Sequence, residues 1–423
     1  MPFIADLHIH SKYSRATSRD MTPEGLWTLA QLKGVSVIGT GDFTHPGWLA
    51  ELGEKLEPAD NGLLSLRKGF RNDAVPASCR ADVLFLLTAE ISCIYRKNNR
   101  TRKVHCLVFA PDLEAVKRIN AALGKIGNLA ADGRSILGLD AKDLLCMVLD
   151  ASPDAMLVPA HAWTPHFSVF GAASGFDSLE ECFEDLTPHI HAIETGLSSD
   201  PPMNWRLSSL DRLTLISNSD AHSPAKIGRE ANILDTPISY DAMMNAIRTR
   251  QGFSGTIEFF PEEGKYHFDG HRGCGLRLSP EESERTNDAC PLCGARVTVG
   301  VMHRVGKLAD REEGFRPAGA PTFQPLIPLQ ELIAETLDVG PAGKRVGRTY
   351  RALLEQLGSE FRILMDAPLR DIESAGSSLL REAVARMRAG RVRIAPGYDG
   401  EFGTVRIFEE AERTTRKWQM QLL

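Results

Sequence analysis

Short apolar runs alternate with longer amphipathic segments through the first 220 residues. The runs, rich in Val, Ile, Leu and Phe, fall at residues 3–10, 35–42, 83–91, 104–110, 156–161, 190–194 and 213–220. Their length and composition predict strands, and the segments between them are of helix length. Strands separated by helices predict an α/β fold built on a parallel sheet or barrel, and seven of them suit a closed or nearly closed barrel. Nearly every run ends in a His, Asp or Glu. In such barrels the C-terminal strand ends share one face, so residues scattered along the first half of the chain converge on one pocket.

The pattern changes after residue 257. Residues 258–310 hold a compact Gly, His and Cys pattern with little room for a core, and residues 311–423 carry Pro- and Gly-punctuated helical patterns at 326–337, 345–357 and 378–387. A hairpin is predicted near 397–407. The expected organisation is an α/β barrel over 1–257, a small metal-organised domain over 258–310 and a mainly helical region over 311–423.

Composition adds little until it becomes local. The 423 residues are 43% hydrophobic and 25% charged, ordinary for a globular protein. A net charge of -6 does not mark a nucleic-acid binder, but a local basic surface decides that, not the sum. No basic segment leads into an apolar run at the start, and no stretch approaches ~18 uninterrupted apolar residues, so a cytoplasmic chain with no membrane partner is expected. Cys79, Cys93, Cys106, Cys146 and Cys182 are scattered singly and are expected to be buried thiols; Cys274, Cys290 and Cys293 cluster, which points to metal rather than disulfides.

The polar residues ending the runs form a set. His8 and His10 lie two apart, and on extended backbone i and i+2 point the same way, so both imidazoles can reach one ion. Asp42, Glu90, His161, Glu194 and the pair Asp220 and His222 sit at or near other strand ends, and His105 begins the fourth run. Imidazoles mixed with carboxylates suit several divalent ions. Glu194 reads equally as a ligand, as an orienter of a ligand or as a plain strand-end carboxylate.

This ordered set resembles the PHP (polymerase and histidinol phosphatase) family, a distorted seven-stranded barrel that holds up to three metal ions. The resemblance implies that His8, His10, Glu90 and Asp220 surround one ion. It implies that Glu90 bridges to a second, held by His105 and His161, and that Asp42 and His222 help hold a third. The ions would be Zn, Mn, Mg or Fe. Where the family often has Thr-Asp-His, this chain has Gly41-Asp42-Phe43. Asp42 or the displaced His45 takes that role, and Asp42 is preferred because it ends the strand.

Residues 270–274 and 290–294 make two knuckles of ligand, two residues, ligand. Cys274, Cys290 and Cys293 with one His form a closed site for a structural zinc ion, which organises a domain lacking a core. His271 is favoured as the fourth ligand by symmetry, with His267 as the alternative. Further on, Gly340, Gly343, Lys344 and Arg345 form a Gly-rich turn feeding a helix. Free N–H groups and basic side chains there suit a DNA phosphate, although a solvated turn explains the pattern equally well.

The stretches at 6–14, 161–165, 194–201, 218–224 and 396–400, together with the knuckles, resemble the endonuclease Q branch of the PHP family along the whole chain. That resemblance implies a metal-dependent DNA repair endonuclease. It would cut 5′ of deaminated bases (hypoxanthine, uracil, xanthine) or abasic sites, with Asp220 in the catalytic centre and DNA containing damaged bases as the partner. Arg229 is a candidate for a phosphate or for a salt bridge. Trp163, Phe167, Phe170 and Trp205 are candidates for a base pocket or for core. A small-molecule phosphatase and a non-catalytic DNA-binding accessory protein are the competing readings.

Overall fold

The structure, a computed structural model, describes residues 2–409 and residue 412. Each of the seven apolar runs holds a strand: β1 (Phe3–Asp6), β2 (Val37–Gly39), β3 (Leu84–Lys97), β4 (Arg100–Ala110), β5 (Met156–Pro159), β6 (Ala192–Glu194) and β7 (Thr214–Ile216). β1, β2 and β3 pair in parallel. β4 runs antiparallel to β3, and β5 antiparallel to β4. β6 and β7 pair in parallel as a separate ribbon. That ribbon is tied to the larger sheet by isolated contacts. Ala162 N–H donates to the Glu194 carbonyl at 2.9 Å, and His10 N–H to the Ala221 carbonyl at 2.9 Å beside a bridge between Ile9 and Ala221.

One connection departs from the expected alternation of strand and helix. β3 and β4 form a hairpin about Asn98 and Asn99, whose φ angles are 51° and 59°. Positive φ at both central residues is what a two-residue turn matched to strand twist requires, and Asn tolerates it. The strands run past their apolar stretches into polar residues 95–103, where the sequence pattern gives no strand signal.

The helices between strands start where capping residues allow. α1 (Pro23–Lys33) begins at Thr22, whose hydroxyl accepts from Gly25 N–H, has Pro at its first position and ends at Gly34 with φ 91°. α2 (Pro46–Lys55) is capped by His45, whose Nδ1 accepts from Trp48 N–H at 3.3 Å. α3 (Leu113–Leu123) and α4 (Ala141–Ala151) are capped by Asp112 and Asp140. α3 buries Ala115, Val116, Ile119 and Leu123, the spacing of one apolar helix face.

Beyond the seventh strand, β8 (Ala231–Leu234) pairs antiparallel with the free edge of β1, α5 (Tyr240–Thr249) follows, and β9 (Phe253–Glu258) pairs antiparallel with β8. β10 (Asp269–His271) and β11 (Leu276–Leu278) make the small hairpin of the knuckle region. β12 (Thr322–Pro325) then adds in parallel to β9, so the third region contributes a strand to the first region's sheet. Helices α6 (Leu329–Leu337), α7 (Lys344–Leu357), α8 (Leu369–Ala375) and α9 (Ser378–Arg388) follow. Leu332, Leu353, Leu354 and Val384 belong to the same apolar core as Leu26 and Val35, and each such fully buried side chain contributes roughly 2 kcal/mol. A buried ion pair, Lys33 Nζ to Glu360 Oε2 at 2.7 Å, crosses this junction. The helical region is therefore docked on the α/β body. β13 (Arg393–Ala395) and β14 (Thr404–Arg406) close the expected hairpin, and its loop packs on the knuckle region through Phe268 N–H to the Gly397 carbonyl at 2.9 Å. Among the described residues no helix is long and apolar enough to cross a membrane.

Candidate metal centre

The polar residues of the seven runs meet in one place, most of them at or just past a strand end, with Glu90 and His105 midway along β3 and β4. The Nδ1 atom of His8 is 3.0 Å from the Glu194 carboxylate, and Nδ1 of His10 is 3.0 Å from Asp42 Oδ1. Each carboxylate fixes a ring and its tautomer and leaves Nε2 free for another partner. Both Nε2 atoms, together with Asp220 Oδ1, are buried without a hydrogen-bond partner and lie within 4.8 Å of one another. Buried polar atoms are normally paired, so three converging orphans mark a position for a cation.

A second group adjoins the first. Glu90 Oε1 is 2.6 Å from His105 Nδ1 and 2.9 Å from His161 Nε2. The other oxygen of the same carboxylate, Oε2, is 3.3 Å from His10 Nε2. Glu90 therefore faces both groups, one oxygen to each. His161 Nδ1 is 2.9 Å from the Thr164 hydroxyl, which fixes its tautomer in turn. Gly196 makes room for this ring: it has φ +63°, and a Cβ there would lie 2.5 Å from the His161 Cβ.

The electrostatics are those of closely coupled imidazoles and carboxylates. Burial opposes charge on His8 and His10, but the Glu194 and Asp42 carboxylates outweigh it and hold both rings well above the usual imidazole range. Burial likewise opposes charge on Glu90, and the neighbouring imidazoles pull it well below the usual carboxylate range. Burial pushes His105 down to about 4, so it is a neutral donor at pH 7. Ions entering here displace protons, so occupancy rises with pH. Asp42, His161 and Asp220 have φ of 49°, 29° and 46°, a strained conformation for non-glycine residues that clusters at functional sites.

Comparison with known proteins follows this geometry. A family model described as PHP-associated matches residues 206–251, and one described as the MJ0043 C-terminal domain matches residues 328–391. The crystal structure of the lesion-specific endonuclease PfuEndoQ from Pyrococcus furiosus is 31% identical, with a TM-score of 0.85, over 98% of this chain and 97% of that one. The chain belongs to the endonuclease Q family. A second structure, endonuclease Q in complex with a 27-mer duplex substrate with an abasic lesion at the active site, is also 31% identical. Its TM-score is 0.82, over 97% of this chain and 98% of that one. YqxK of Bacillus subtilis is 29% identical over 95% of this chain and 98% of its own length. MJ0043 of Methanocaldococcus jannaschii is 29% identical over 58% of this chain, which spans 31% of that longer protein.

In this endonuclease Q-family chain the remaining site residues fall into several places. Asp42 stands behind the first group rather than in it. Its Oδ1 faces His10, and its Oδ2 accepts from Ser11 N–H at 2.7 Å, the Ser11 hydroxyl at 2.6 Å and the Ser14 hydroxyl at 2.8 Å. His45, the alternative, is the helix cap described above, with its ring on Tyr13. His222 lies at the rim, its ring centroid 4.3 Å from that of His10 and its Nδ1 2.9 Å from the Asp220 carbonyl. Arg229 Nε donates to the Ser219 carbonyl at 2.8 Å, so it braces the loop that carries Asp220. Glu194 also accepts from His161 N–H at 2.8 Å and from Asn218 Nδ2 at 2.9 Å. It thereby ties both groups to the strand ends.

Because Glu194 orients His8 without facing the ions, Glu194→Gln is expected to weaken metal affinity about 10- to 100-fold. Titration of the apo variant with Mn, followed by calorimetry, measures this; wild-type affinity would show that the carboxylate orients nothing.

Sequence reading passed over Asp6, Asn218 and Arg134. Asp6 accepts from Ser219 N–H at 3.0 Å and Gly228 N–H at 2.9 Å, and Asn218 Oδ1 accepts from Leu7 N–H at 2.8 Å. Asp6 carried a signal, standing two residues before His8. Arg134 carried none. Of the loop aromatics, Trp163, Phe170 and Trp205 are core, whereas Phe167 is half-buried with its ring 4.8 Å from His105.

In the knuckle region His271, Cys274, Cys290 and Cys293 place their ligand atoms within 4.8 Å of one another. His271 Nδ1 is 3.4 Å from Cys293 Sγ. His267 lies outside the group, buried against Phe268. Gly340 and Gly343 form the turn into α7, which starts without a side-chain cap, and Lys344 and Arg345 are exposed there.

Proposed function

We propose that this chain is a metal-dependent endonuclease that hydrolyses DNA on the 5′ side of a deaminated base, such as hypoxanthine, uracil or xanthine, or of an abasic site. The observation that carries the reading is the pair of donor groups sharing Glu90, in a chain that matches, over nearly its whole length, an endonuclease Q crystallised on lesion-bearing duplex. We read the seven strands as a distorted PHP barrel with this pair at its C-terminal face.

His8, His10, Asp220 and Glu90 would hold one ion, and Glu90, His105 and His161 a second. Imidazole and carboxylate donors suit Zn, Mn or Fe, and Mg where water completes the shell. A third ion, implied by resemblance, would need Asp42, whose oxygens already serve His10, Ser11 and Ser14. When bound, such ions supply a water acidic enough to lose its proton near neutral pH, and positive charge for the phosphate oxygens. The chain's own groups do the rest. Glu194 and Asp42 keep the imidazoles aimed, and Asp6 and Arg229 hold the Asp220 loop. Oxygen–phosphorus bond formation breaks the bond to the 3′ oxygen, which takes a proton, leaving a 3′-hydroxyl and a 5′-phosphate on the lesion nucleotide.

The lesion nucleotide must leave the stack to reach a buried centre, and a damaged pair opens at lower cost. Phe167, at the mouth, offers a ring to an unstacked base. The exposed turn at Gly340, Gly343, Lys344 and Arg345 would grip the backbone, because cations at a helix N-terminus oppose its dipole until an anion joins them. His271, Cys274, Cys290 and Cys293 would hold a structural zinc ion, since four protein donors leave no open position.

The test is a labelled duplex carrying one hypoxanthine, beside an undamaged control, in Mg or Mn, with wild-type and Asp220→Asn proteins. One cut 5′ of the lesion is expected, absent from the control and reduced at least ~10³-fold in the variant, about 4 kcal/mol of barrier. Turnover of a small phosphate ester without cutting hypoxanthine, uracil or abasic DNA would overturn the reading in favour of a phosphatase.

A further inference from the structure

Arg134 is the cation nearest the shared ligand. It precedes the short strand Ser135–Leu137, which pairs in parallel with β3 beside Ile91. Its Nη1 lies 3.2 Å from Glu90 Oε2, the oxygen that faces His10. About a quarter of its side chain, 28%, is open to solvent, so it reaches from the mouth of the site inward.

The loop that carries it is packed on the shell around His10. Arg134 N–H bonds to Asp132 Oδ1 at 3.3 Å, and Gly133 N–H to the Tyr13 carbonyl at 3.0 Å. A Cβ at Gly133 would lie 2.5 Å from Asp42 Oδ2, so only glycine allows this approach. The placement of Arg134 is therefore fixed by the same residues that fix His10.

A guanidinium beside two divalent ions would be repelled by both, since like charges a few ångströms apart in a site shielded from bulk water oppose one another strongly. The arrangement becomes favourable when an anion lies between them. A phosphodiester supplies that anion, and a guanidinium matches its oxygens with two parallel N–H donors. Arg229 is instead turned to the backbone of the Asp220 loop, with Nε on the Ser219 carbonyl and Nη2 on that of Asp220.

We propose that Arg134 is a catalytic residue of the reaction assigned above, leaving Glu90 to its ions and binding a non-bridging oxygen of the scissile phosphate. The inference rests on the endonuclease reading. The alternative is that Arg134 only balances the charge of Glu90.

A product duplex separates the two, because it cannot be cut again at the same bond. Duplexes nicked 5′ of an abasic-site analogue, with either a 5′-phosphate or a 5′-hydroxyl at the nick, are bound to the metal-loaded enzyme and read by fluorescence anisotropy. Wild type is expected to prefer the phosphate. Arg134→Ala is expected to lose affinity for the phosphate nick on the order of 10- to 100-fold. It should bind the hydroxyl nick as wild type does, and metal content should stay unchanged. Arg134→Lys, which keeps the charge without the fork, should fall between; the hydroxyl nick reports folding for both variants. An undiminished phosphate preference in Arg134→Ala, or equal losses on both nicks with lost metal, overturns the assignment. If wild type binds neither nick better than intact undamaged duplex, the endonuclease reading itself falls, and this assignment with it.

Discussion

Glu90→Gln protein is expected to lose both active-site ions together and, with them, at least ~10³ in cleavage rate, about 4 kcal/mol. The carboxylate is the one group common to both donor sets, with Oε1 on His105 and His161 and Oε2 on His10. An amide of the same shape supplies one oxygen and one NH₂ group, so whichever way it turns, one set receives hydrogens where it needs a lone pair. The negative charge that offsets the ions' repulsion is lost as well. Metal content by mass spectrometry, beside single-turnover cutting of lesion duplex, measures both effects. The bridging role would be refuted by a variant that keeps its full metal complement and cuts within about tenfold of wild type. Loss of only one ion would mean that the two sets are independent.

The second large effect concerns the knuckle region. Its own apolar cluster contains only Leu278, Cys290 and Val297, with Cys274 and Leu276 against it. So small a cluster gives residues 269–298 almost no hydrophobic core of their own, whereas Phe260, Val301 and Val305 on either side belong to the main core. Four converging Cys and His donors would supply what the core lacks, because metal binding is folding free energy in small Cys/His modules. Cys290→Ser is therefore expected to release one zinc ion and to open residues 269–298 to proteolysis, with the active-site ions retained. Limited proteolysis with zinc stoichiometry reads this. A protease-resistant variant holding as much zinc as wild type would mean that Cys290 is not a ligand. The loop at 396–403 should loosen with the module, because Arg272 N–H bonds to Asp399 Oδ2 at 2.6 Å and the Thr298 hydroxyl to Oδ1 at 2.6 Å.

These two sites show how differently sequence encodes function. The four knuckle ligands stand close along the chain in a spacing that a tetrahedral ion dictates, so proximity in sequence carried the site. Only the choice between His271 and His267 needed coordinates. The proposed active-site donors span more than 200 positions, and most were legible because strands end on one face, whereas Glu90 and His105 sit midway along the β3–β4 hairpin. Their shared identity as ligands came from residue type. Asp42 shares that type and strand-end position, and the structure adds that its oxygens meet His10, Ser11 and Ser14.

By itself, then, the sequence determined which residue types sit at most strand ends, the seven apolar runs and the Cys/His knuckles. These are local properties, set by side-chain period and by ligand chemistry. Tertiary structure decided what those properties could not reach. It made β3 and β4 a hairpin through a polar turn, and it docked α6–α9 on the core of the α/β body. It also turned Asp42 and Glu194 toward the far side of the imidazoles and brought Arg134 to Glu90. Each of these depends on what lies across a few ångströms of space between segments far apart in the chain. No periodicity or propensity along one segment specifies the direction in which a carboxylate finds its nearest cation.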